Sequence, residues 1–183
     1  MELYKWIIEI VDANLIYCLI PIILTLFFVE LFFKNRFETK RALNIVCWII
    51  LLYTIVSIIY SLIGLIFYPE KFAFIDRATG PYKTAYWVMF FSSAILPFTL
   101  FIKKLSKKYL YVLLVAFLMK IGFFFERFVI IVTSFHRDYS PVNNNPVWSD
   151  SFTFGLSMVF LQGFIIGILI LGFFEISKRK TAV

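Results

Sequence analysis

The feature that most constrains this chain is the separation of its charges from its apolar residues. From Ala42 to Phe67 there are 26 consecutive residues without a charge, and Thr84–Ile102 and Phe152–Phe174 are likewise uncharged. Apolar runs of about 18 or more residues are long enough to cross a bilayer as helices. Lys and Arg crowd into the short intervals between them. With 62% of its residues apolar, 21% aromatic and only 16% charged, the chain is far from the composition of a water-soluble domain. It reads as an all-α polytopic membrane protein, one membrane domain over residues 1–183, with no soluble domain and no signal-peptide cleavage pattern.

Composition also removes several kinds of chemistry. Cys18 and Cys47 each lie inside an apolar run, so the chain has neither a C-x-x-C pair nor the ligands for an iron–sulfur cluster. His136 is the sole histidine, and a bis-histidine haem needs two. The net charge of +7 comes from residues flanking hydrophobic runs. That is the pattern of membrane orientation, not of nucleic-acid binding.

Five spans are expected, at 15–33, 42–67, 84–102, 109–135 and 152–174. Pro21 lies in the first, Pro97 interrupts the third, and the loops between are rich in Pro, Gly and Asn. Counting cations sets the orientation. Lys34, Arg36, Lys40, Arg41, Lys103, Lys104, Lys107, Lys108, Lys178, Arg179 and Lys180 make 11 on one side. Lys5, Lys71, Arg77, Lys83 and Arg137 make five on the other, and Lys120 and Arg127 fall within the fourth span. The richer segments share a face only with five spans, the N-terminus outside and the C-terminus inside.

The fourth span carries the chemistry. At 1.5 Å per residue, Arg127 lies about 12 Å from the outer end of its helix, so Glu126 and Arg127 are inside the hydrocarbon, where a charge costs roughly 2.5–3.5 kcal/mol. Neighbours on a helix diverge by 100°, so each needs a partner on another helix. Lys120 and Arg127, seven apart, would share a face, and Glu126 would share its own with Phe123, Ile130 and Thr133. One reading is a polar site or proton path: Glu126 exchanges protons, and Arg127 and Lys120 set its charge balance. The other is an interhelical ion pair that locks the bundle or docks a partner. His136, Arg137 and Asp138 begin where the helix leaves the membrane, as a cap, an interface or a proton exit. Gly163 and Gly167 form a G-x-x-x-G, whose default meaning is close helix packing.

Gly122, the run Glu126-Arg127-Phe128-Val129-Ile130-Ile131-Val132-Thr133-Ser134, then His136-Arg137-Asp138 and Ser140-Pro141, resembles the quinone-binding membrane subunits of alternative complex III, within the polysulfide reductase (NrfD-like) family. Tyr86-Trp87, the Pro97-broken third span and the Lys103-Lys104 turn agree with it. The resemblance covers about Tyr82 to Pro141. It implies that four of the five helices form an NrfD-like bundle, and that the chain takes part in quinol–quinone electron transfer and proton movement. Its partners would be iron–sulfur or cytochrome subunits, and any quinone site would be shared with them, with no cofactor held by this chain alone. Family members carry two four-helix bundles, so this chain corresponds to the C-terminal half, and a separate chain would supply the other. Besides bilayer lipids, no other partner is implied. The expected location is a bacterial inner membrane or the mitochondrial inner membrane. A structural, non-catalytic respiratory subunit and a small transporter are the competing readings.

Overall fold

The structure, a computed structural model, describes residues 2–34, 36–67, 74–125 and 147–181. These are almost entirely helical, with no strand among them. Helix α1 is Glu2–Val11, followed by a π-helical turn at Asp12–Ile16, and α2 is Leu19–Phe33. Helix α3 is Thr39–Phe67, α4 Phe74–Thr79 and α5 Lys83–Phe90. After a π turn at Phe91–Ile95 and a 3-10 segment at Leu96–Phe101 come α6, Lys103–Ser106, and α7, Tyr109–Met119. Helix α8 is Val147–Thr181. Among the described residues, four stretches are long and apolar enough to cross a bilayer: Trp6–Phe33, Thr39–Phe67, Lys83–Phe101 and Ser157–Lys178. The chain is an all-helical integral membrane protein.

Helix α3 illustrates the packing rule. Its buried face runs through Leu43, Val46, Cys47, Ile50 and Thr54, while Trp48, Leu52, Val56, Ile59, Ile63 and Ile66 form an exposed apolar stripe at three- and four-residue steps. An exposed stripe of that size is untenable in water and ordinary against lipid tails.

The chain divides into two compact units, 1–42 with 123–183, and 43–122. In the first, α2 packs along α8. Their contacts rise together in number. Gln162 donates to the Asn14 carbonyl and side-chain oxygens at 3.2 and 3.1 Å, Gly163 lies against Cys18 and Pro21, Gly167 against Thr25, and Lys178 pairs with Glu38 at 3.3 Å. The two helices are therefore parallel. The glycines of the G-x-x-x-G face α2, and the packing expected of that motif is what the structure contains. Pro21 falls in the first turn of α2, where its missing N–H costs least, and the Thr25 hydroxyl donates to its carbonyl at 2.7 Å.

Beside this contact is an apolar cleft of about 290 Å³ running from Pro21 to Phe33, with Phe28, Phe32, Phe160 and Phe164 in its walls. The chain leaves α2 at Lys34, whose φ is 22°. The Thr39 hydroxyl then donates to the Glu30 carboxylate, which sets the first turn of α3 beside the end of α2. Glu38 binds Arg41 at 3.4 Å as well as Lys178.

In the second unit, Pro97 ends regular α-helix as its lost donor and ring demand. The resulting 3-10 segment is held to α7 by the Tyr111 hydroxyl, 2.7 Å from that of Thr99.

Two expectations change. The first span is helical well before Leu15, because Glu2, Lys5, Glu9 and Asp12 recur at three- and four-residue steps and leave the other faces of α1 apolar. The fourth, expected as one helix over 109–135, stops at Met119. Lys120 has φ −110° and ψ 22°, and helix resumes over 121–125. The count that set Lys120 and Arg127 on one face does not carry across this break. Residues 126–135 lie outside those described.

Candidate functional site

Of the residues singled out in the sequence, Lys120 is among those described. Glu126, Arg127, Thr133, His136, Arg137 and Asp138 lie outside the described residues.

Lys120 caps α7. Its backbone N–H reaches back to the Phe117 carbonyl at 3.2 Å, tightening the last turn. A helix end leaves carbonyls without intrahelical partners and carries partial negative charge, so a cation suits this position. The side chain turns to α3, where Nζ donates to the Tyr53 hydroxyl at 2.6 Å. Nζ is also 4.8 Å from the centre of the Tyr53 ring. The shorter distance makes the charge-assisted hydrogen bond the stronger part of the contact. Both residues are half-buried.

Tyr53 is 14 residues from Thr39 and 14 from Phe67, the two ends of α3, or roughly 21 Å from each. A helix crossing the bilayer symmetrically would put it at the centre of the ~30 Å hydrocarbon layer. Interrupted helices at such depth persist where protein or a wet cavity satisfies the freed backbone. Around the break, the Thr54 hydroxyl donates to the Ile50 carbonyl at 2.8 Å and lies 3.8 Å from the Met119 sulfur. Farther along α3, Ser57 and Tyr60 follow Tyr53 at four- and three-residue steps, and the Ser61 hydroxyl donates to the Ser57 carbonyl at 2.8 Å. Tyr53, Ser57 and Tyr60 therefore form a polar line along one side of a mostly apolar stretch of α3.

A phenol and an ammonium are thus in direct hydrogen-bonded contact, and both are groups that donate protons to hydrogen bonds. The contact places a positive charge and a hydroxyl together at the middle of α3. Tyr53 is absent from the sequence-derived set. Its signal was that same i, i+4, i+7 line of Tyr, Ser and Tyr within an uncharged run. No group of His, Cys, Asp and Glu among the described residues could hold a metal ion.

Comparison of the chain with protein-family models, with curated proteins and with solved structures finds no match in any of the three.

Proposed function

We propose that this chain is a five-span subunit of a quinone-linked membrane oxidoreductase, and that its fourth span carries a polar site for proton exchange with quinol or quinone. The observation that carries this reading is the Lys120–Tyr53 hydrogen bond at the midpoint of α3, beside a helix break. A cation at that depth is costly and is characteristic of ion and proton pathways. The resemblance of residues 122–141 to quinone-binding subunits supplies the reaction class. In this reading Glu126 is the proton-exchanging carboxylate, and Lys120 and Arg127 are its electrostatic partners. His136, Arg137 and Asp138 form the outer exit or a subunit contact. The redox centres belong to partner subunits.

The parallel register of α2 and α8 supports the five-span count. Two parallel spans require an odd number of crossings from one to the other inclusive, and four are described. The segment beginning with α7 supplies the fifth. The cation count then sets the N-terminus outside and the C-terminus inside, in a bacterial or mitochondrial inner membrane.

A structural reading draws on the same bond, because a Lys–Tyr contact between α7 and α3 also ties two helices together. The two separate on quinol-dependent electron transfer per assembled complex, with subunit content measured in parallel. Glu126→Gln should leave assembly intact and lower turnover by about 10²-fold or more, the usual range for a general acid or base. Full turnover per assembled complex would overturn the catalytic reading and leave the chain a scaffold.

A further inference from the structure

The cleft beside α2 ends where the chain turns out of the helix, and three cations, Lys34, Arg36 and Lys40, follow closely on that end. Phe33 lines the cleft, and Lys34 follows it directly. The Arg36 N–H donates to the Phe33 carbonyl at 3.0 Å, and the Thr39–Glu30 bond brings Lys40 to the same end. Lys34, Arg36 and Lys40 are exposed, and none forms an ion pair among the described residues; the nearby carboxylate of Glu38 is already shared by Arg41 and Lys178. From Pro21 to Phe33 is 12 residues, roughly 18 Å of helix, close to the ~15 Å depth of one bilayer leaflet.

We propose that this cleft seats one acyl chain of an anionic phospholipid, whose headgroup phosphate is held by Lys34, Arg36 and Lys40. Length, apolar walls and charge coincide in one place. The concave wall between Phe28 and Phe164 fixes a chain that a flat helix face would leave free to exchange. A neutral lipid or a neutral isoprenoid tail would fit the walls and gain nothing from the three cations.

The test is native mass spectrometry of the full chain extracted in mild detergent from vesicles of equimolar phosphatidylcholine and phosphatidylglycerol. The wild-type chain should retain one phosphatidylglycerol in preference to phosphatidylcholine. Each cation near a membrane surface changes anionic-lipid binding by about fivefold, so the triple variant Lys34→Gln, Arg36→Gln, Lys40→Gln should lose on the order of 100-fold of that preference. Leu24→Trp, which fills the cleft and leaves the cations, should lose the retained lipid. Equal retention of the two lipids by wild type, or a preference unchanged in the triple variant, would overturn the proposal. So would a photo-crosslinker at position 164 that captures a polypeptide in place of a lipid.

Discussion

The α2–α8 contact is close enough that one methyl group should break it. A Cβ at position 163 would lie 2.9 Å from the Cys18 carbonyl oxygen and closer still to the Pro21 ring. Neither is a flexible side-chain end, so the helices must separate. Overpacking of this kind costs about 3 kcal/mol at the upper end of its usual range. Replacing a helical glycine by alanine returns about 1 kcal/mol of intrinsic preference, which leaves Gly163→Ala about 2 kcal/mol less stable than wild type. Gly172 is the internal control, since a Cβ there meets nothing within 4 Å, and Gly172→Ala should gain about 1 kcal/mol. The two variants should thus differ by about 3 kcal/mol, on the order of 100-fold in the unfolding equilibrium. Gly167→Ala belongs between them, because its Cβ would approach the Thr25 side chain at 3.3 Å and a small shift relieves it. Equilibrium unfolding in mixed micelles with rising SDS, followed by circular dichroism, measures all three. Gly163→Ala matching Gly172→Ala within about 0.5 kcal/mol would refute the packing argument.

Three other outcomes are expected. Cysteine labelling should reach position 144 only from outside and position 179 only from inside; labelling both from one face would defeat the five-span topology. A double-mutant cycle of Tyr53→Phe and Lys120→Met should give a coupling of about 1 kcal/mol, since interhelical hydrogen bonds in membranes average about 0.6 and a charged donor strengthens them. A coupling near zero would mean that the two side chains do not interact. Glu38→Gln loses contacts to the exposed Arg41 and Lys178 just before α3, and should cost under about 1 kcal/mol in the same unfolding assay.

What the sequence conveyed, and what it did not, follows from how far each signal reaches along the chain. The span positions are local: 26 uncharged residues leave few alternatives to a crossing helix, and α3 contains the whole of 42–67. Pro97 announces its own disruption by removing a donor. The charges of α1 sit on one helical stripe, so a search for uninterrupted apolar runs passes over a helix whose periodicity is plain. The break at Lys120 has no proline to signal it, and the lysine there turns to a tyrosine 67 positions earlier. Such pairings are written in three dimensions, and one sequence contains many lysines and tyrosines at no characteristic spacing. Glu126 and Arg127 were conspicuous because charge in hydrocarbon is rare. Tyr53 was not, because a tyrosine in an aromatic-rich span is unexceptional.

The parallel pairing of α2 with α8 sets a timetable for synthesis. Pro21 and Gly163 touch in the finished protein yet are 142 positions apart (163 − 21). At about 5–20 residues per second, α2 enters the bilayer roughly 7–28 s before its partner leaves the ribosome. During that interval the face prepared for two glycines, with Cys18, Pro21 and Thr25 on it, is without α8 and meets lipid, the insertion machinery or other spans. The α2–α8 seam is thus among the last contacts to form, and a ribosome that stalls before Gly163 leaves a membrane-inserted fragment with that seam open.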